Sequence, residues 1–104
     1  MISITEKDNN MASMALEGEL TIYVAENFNK EMNQYLEKYQ RIDVDLSNVS
    51  ELDSSCYQVL LRARLLSLKN NKEFHIGSLS DSAQQVFDLY NLNDVFNHTE
   101  NSTH

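Results

Sequence analysis

A change of hydrophobic period between residues 41 and 69 constrains this chain more than any other feature. Ile42, Val44 and Leu46 alternate with Asp43 and Asp45, the two-residue period of a strand buried on one face. After Ser54 the apolar residues Val59, Leu60, Ala63 and Leu66 recur at three and four, with Leu61, Leu65 and Leu68 widening the arc, which is a helical period. Asp53-Ser54-Ser55 falls at the junction, where a short side-chain oxygen belongs as N-cap. A strand over 42–46 therefore feeds a helix over 54–69 that stops at Asn70-Asn71. The strand expected at Glu73 to Gly77 must then lie parallel to the first, because a helical crossover returns the chain to the same end of the sheet.

The remaining elements follow from the same two periods. Ile2 to Glu6 alternates and ends at Lys7-Asp8-Asn9-Asn10, a turn-forming cluster. Ala12 to Leu20 resumes the alternation with Ala12, Met14, Leu16 and Leu20 inward and Gly18 free to sit in a bulge, so the two segments make a hairpin. Ile22 to Tyr39 is helical, with Ala25, Phe28, Met32, Tyr35, Leu36 and Tyr39 forming its apolar stripe and Thr21 as N-cap candidate. Ser80 caps a last helix to Tyr90, with Ala83, Val86, Phe87 and Tyr90 inside, and Asp94 to Asn97 is read as a final strand. The order β-β-α-β-α-β-α describes an α/β fold, a mixed sheet with its helices packed mainly on one face. With 2 Gly and no Pro, asparagine is expected at turn positions that need left-handed backbone.

Composition excludes several classes of function. One domain is expected from 104 residues, over 1–98 with a polar tail over 99–104, and 41% hydrophobic content is that of a globular chain. No stretch approaches the roughly 18 apolar residues of a membrane span, and the N-terminus lacks the pattern of a signal peptide, so the cytoplasm is the expected compartment. The single cysteine, Cys56, fits a reducing environment. A net charge of −8 with no dense Lys/Arg cluster argues against nucleic acid and against insertion into an anionic membrane, leaving proteins or small molecules as partners.

Reactive groupings are sparse. His75, His98 and His104 are scattered, and no Cys-x-x-Cys or His-x-x-x-His spacing offers a metal site. Two glycines cannot build a nucleotide-binding loop, and no Gly-x-Ser-x-Gly elbow exists. Asp53, Ser54 and Cys56 lack a neighbouring base. No enzymatic activity and no cofactor are expected. What remains is Ser54 at a helix start, where a phosphate would meet free amides and the positive end of the helix dipole; an ordinary N-cap is the alternative.

Four segments in order resemble the STAS domain family, found in anti-sigma factor antagonists and small bacterial regulators: Gly18-Glu19-Leu20, Val44-Asp45-Leu46-Ser47-Asn48-Val49, Leu52-Asp53-Ser54-Ser55, and Ser80 to Leu92. The resemblance implies that Ser54, directly after the aspartate, is the residue phosphorylated by a serine kinase of the anti-sigma-factor type and restored by a phosphatase. It also implies a partner surface made of Thr21, Asp53, Ser54, Ser55, Cys56, Tyr57 and Gln58. Cys56 stands where the family usually has glycine, and Thr21 where anti-sigma factor antagonists often have aspartate. Thr21-Ile22-Tyr23 and Tyr57-Gln58-Val59 look like the proteobacterial branch, which includes the STAS subunit of a phospholipid-transporting ABC system docked on its ATPase. Two readings stay open: a phosphorylation-controlled partner switch, and a constitutive ABC-transporter subunit.

Overall fold

A computed structural model describes residues 2–8 and 10–90. Its elements are β1 (Ile2–Glu6), β2 (Met11–Leu20), α1 (Ile22–Lys38), β3 (Arg41–Leu52), α2 (Ser54–Lys69), β4 (Glu73–Leu79) and α3 (Asp81–Leu89). The sheet has the order β1-β2-β3-β4. β1 and β2 form the expected antiparallel hairpin, closed where the Lys7 N–H donates to the Met11 carbonyl over 2.8 Å. β2, β3 and β4 are mutually parallel, so α1 and α2 are crossovers. Ala12, Met14 and Leu16 of β2 and Ile42, Val44 and Leu46 of β3 point under the helices and are fully buried. Their neighbours Ser13, Ala15, Asp43 and Asp45 lie on the opposite, uncovered face. Phe87, Met32 and Leu60 bring α3, α1 and α2 into the same core.

Two backbone expectations hold in detail. Gly18 has φ of 84°, a left-handed value that a side chain adopts only with strain, and the β2–β3 register shifts on either side of it. Asn71 has φ of 59° and turns the chain out of α2, the position for an asparagine where glycine is scarce.

The structure corrects the sequence reading at several points. β3 runs to Leu52 rather than Leu46. Ser47-Asn48 resemble a turn, yet the strand stays paired with β2 through a register shift that restores burial at Val49 and Leu52. α1 ends at Lys38, with Tyr39 as its buried C-cap residue and its hydroxyl donating to Glu6 Oε1 over 2.8 Å. Leu65 and Leu68 lie on the solvent side of α2, 55% and 43% exposed. Tyr90, expected inside, is also substantially exposed, because its ring covers Tyr57 from outside. The strand expected at Asp94 to Asn97 and the tail lie outside the described residues.

Candidate functional site

The C-terminal ends of the parallel strands β2 and β3 lie side by side, with Leu20 in register with Leu52, so the helices that follow both start at one edge of the sheet. Asp53 binds the two starts together. Its backbone N–H donates to the Leu20 carbonyl over 3.0 Å. On the α2 side, Oδ1 accepts the Ser55 N–H at 3.1 Å, the Ser55 hydroxyl, and more distantly the Cys56 N–H at 3.4 Å. Oδ2 accepts the Ile22 N–H of α1 at 2.7 Å. One carboxylate thus caps two helices. Thr21, expected to cap α1, holds the N-cap position with extended backbone but makes no side-chain cap bond; the oxygen comes from across the sheet instead.

Burial of Asp53 raises its carboxyl pKa, but the opposing hydrogen bonds, from the Ser55 hydroxyl and the amides of Ile22, Cys56 and Ser55, together hold it below the ordinary carboxylate range. Cys56 is fully buried, and its thiol donates to the Thr21 carbonyl over 3.4 Å. Burial, reinforced by the Asp53 charge, pushes that thiol up to about 11, so it is a neutral packing group rather than a nucleophile.

The expected site residues therefore divide. Ser54, the first residue of α2, and Gln58, one turn on, are exposed. Ser55 is half-buried and its hydroxyl is held by Asp53. Thr21 is also half-buried. Cys56 and Tyr57 lie in the core, Tyr57 edge-on to Phe87 at 5.8 Å and stacked on Tyr90 at 4.7 Å, so they support the surface from beneath. Missing from the sequence-derived set are Ile22, Tyr23 and Val24. They leave the first turn of α1 apolar and open, Tyr23 94% exposed, directly beside the Asp53 junction. A shallow groove of about 160 Å³ between Ile2, Leu20, Val24 and Phe28 continues this patch. The signal was present: three apolar residues stand off the α1 stripe that begins at Ala25.

Among the described residues, no group of three or more His, Cys, Asp or Glu side chains is placed to hold a metal ion, and no helix is long and apolar enough to cross a membrane. An exposed serine at a helix start, an aspartate that fixes two helices, and an apolar collar around them form the candidate site of this small α/β domain, at one edge of its sheet. Residues 3–97 match the family model described as "Mlab, STAS domain", and the chain belongs to the STAS domain family.

Solved structures agree on the fold. An anti-sigma factor antagonist from Mycobacterium paratuberculosis superposes with a TM-score of 0.79 at 16% identity, over 91% of this chain and 80% of its own. The phosphorylated form of the Bacillus cell fate determinant SpoIIAA gives 0.74 at 16% identity, over 90% and 86%. A candidate anti-sigma factor antagonist from Thermotoga maritima gives 0.76 at 26% identity, over 90% and 81%.

Proposed function

We propose that this chain is a non-enzymatic partner-switching regulator whose protein binding is controlled by reversible phosphorylation of Ser54. One observation carries the reading: of the two adjacent serines, Ser54 is exposed at the start of α2, whereas the Ser55 hydroxyl is committed to Asp53. A kinase can reach the first without disturbing the shared cap. A phosphate there adds about −1.5 to −2 charges while the helix start and its amides accommodate it, so the surface changes and the fold does not. The partners are a serine kinase of the anti-sigma-factor type, a phosphatase, and an effector bound by the unphosphorylated form. Ile22, Tyr23 and Val24 supply apolar contact for that effector, and a dianion at their edge opposes it by desolvation.

A second reading uses the same surface: the resemblance of Thr21-Ile22-Tyr23 and Tyr57-Gln58-Val59 to the proteobacterial branch suggests a constitutive STAS subunit docked on the ATPase of an ABC transporter. Calorimetric titration of Ser54→Ala and Ser54→Asp against the partner that co-purifies from the host separates the two. The switch predicts wild-type affinity for Ser54→Ala and at least about tenfold weaker binding for Ser54→Asp, a difference near 1.4 kcal/mol, with both variants melting close to wild type. Equal affinities in folded proteins, with an ATPase as the bound partner, favour the transporter subunit.

A further inference from the structure

The two crossover helices meet again at the end of the sheet away from Asp53. α1 ends at Lys38 and α2 at Lys69, and the strands that follow start side by side, the Glu73 N–H donating to the Gln40 carbonyl over 3.0 Å. Between the two helix ends lies a half-open cleft of about 260 Å³, with Asn33, Leu36 and Glu37 of α1 on one wall and Leu66 and Ser67 of α2 on the other. Ser67 is 1% exposed, and among the described residues its hydroxyl is the buried side-chain polar group without a hydrogen-bond partner. Leaving such a group unpaired is costly. A buried hydroxyl in the wall of a polar cleft is a position completed from outside the chain.

The backbone around the cleft is already satisfied. The Asn70 and Lys72 N–H groups donate to the Leu66 and Ser67 carbonyls over 3.0 and 2.8 Å, closing the end of α2. The Lys72 ammonium donates to the Leu36 and Glu37 carbonyls, at the negative end of α1. Its charge is thereby committed within the chain. The neutral side chains of the lining are not: among the described residues, the carboxamides of Asn33 and Asn70 have no hydrogen-bond partner. Each of these amides, like the Ser67 hydroxyl, both donates and accepts. Leu36 and Leu66 add an apolar strip between them.

We propose that the cleft between the ends of α1 and α2 binds a neutral polyhydroxylated small molecule of monosaccharide size. Two carboxamides and a buried hydroxyl offer donors and acceptors together, the pattern that neighbouring hydroxyl groups of one ligand match, and the leucine strip suits the C–H face of a sugar ring. An anion is opposed by the Glu37 carboxylate and by the negative ends of two helices, a cation by the Lys72 ammonium. Size agrees: a cavity of about 150 Å³ holds benzene, so about 260 Å³ accommodates a ligand of about ten non-hydrogen atoms. The inference does not depend on Ser54 or on the switch.

The test titrates the isotope-labelled full chain with D-glucose, D-ribose and myo-inositol in turn, with L-alanine and inorganic phosphate as charged comparisons, and follows the amide resonances by NMR. At least one polyol should shift the side-chain amides of Asn33 and Asn70 and the backbone amide of Ser67 saturably, with a midpoint at or below about 1 mM, a range open to a ligand this small. Ser67→Ala removes a hydroxyl that has no bond to lose, so it should melt no lower than wild type and should bind the same polyol at least about tenfold more weakly. Asn33→Ala, at a half-buried position of α1, should weaken it similarly and serves where Ser67→Ala fails to fold. No saturable shift from any polyol at about ten times that concentration overturns the proposal, and so does saturable binding of L-alanine or phosphate in place of the polyols. Polyol binding that neither variant weakens places the ligand elsewhere and overturns it as well.

Discussion

Asp53 does the work of two residues. A single N-cap substitution costs about 0.5–2 kcal/mol, and Asp53→Ala removes the cap of α2 together with the Ile22 bond that starts α1. It should therefore fall at the upper end, about 2 kcal/mol, read as a lower urea midpoint at unchanged slope. Because hydrogen bonding holds the folded carboxyl below its ordinary range, the carboxylate stabilises the native state above the unfolded value near 4 and loses that effect as pH falls through the folded one. The stability gap between wild type and Asp53→Asn should be full at pH 7 and should narrow below about pH 4; a gap that widens on acidification contradicts the shared cap. Cys56 gives a second check. A buried thiol pushed to about 11 should react with an aromatic disulfide at pH 8 only as fast as the core opens, so complete labelling of folded protein within mixing time would place the thiol elsewhere.

At the scale of elements, residues with one clean period were legible and those with mixed signals were not. Ala12, Met14 and Leu16, and Phe28 and Met32, follow strict strand and helix spacing and are buried as expected. β3 was read too short because Ser47-Asn48 carry turn chemistry while the pairing that keeps them in the strand belongs to β2, which local sequence does not display. α2 was legible in extent but not in facing. Leucine stands on both sides of it, and only the packing of α1 and α3 decides which side is inside. Serine after aspartate pointed to the candidate site, but nothing near Thr21 announces that its helix is capped from 31 residues away. The facing of α2 and α3 has a measurable consequence. Phe87→Ala, deep in the core and edge-on to Tyr57, should cost about 3–5 kcal/mol, whereas Leu65→Gln should stay within about 0.5 kcal/mol of wild type. Comparable losses in urea unfolding would mean that α2 faces the other way.

The molecule as a whole carries its charge unevenly. Eight basic residues against 16 acidic ones leave −8, and ion pairs such as Lys30–Glu26 and Lys38–Glu6 sit on the surface, where they contribute little. Self-repulsion should therefore outweigh pair attraction. Raising sodium chloride from about 10 mM to 0.5 M screens it and should lift the melting midpoint by about 4 °C, the shift that roughly 0.5–1 kcal/mol produces in a domain of this length; a fall would show the pairs to dominate.

The bonds that finish the candidate edge all span the chain: Asp53 to Ile22, Asp53 to Leu20, and Cys56 to Thr21 join the second strand–helix unit to the first. Neither unit can assemble that edge by itself, and a nascent or partly unfolded chain holding only one of them offers no competent surface. Under the proposed function, recognition by a partner thereby acts as a proofreading step, accepting only molecules in which both units have come together.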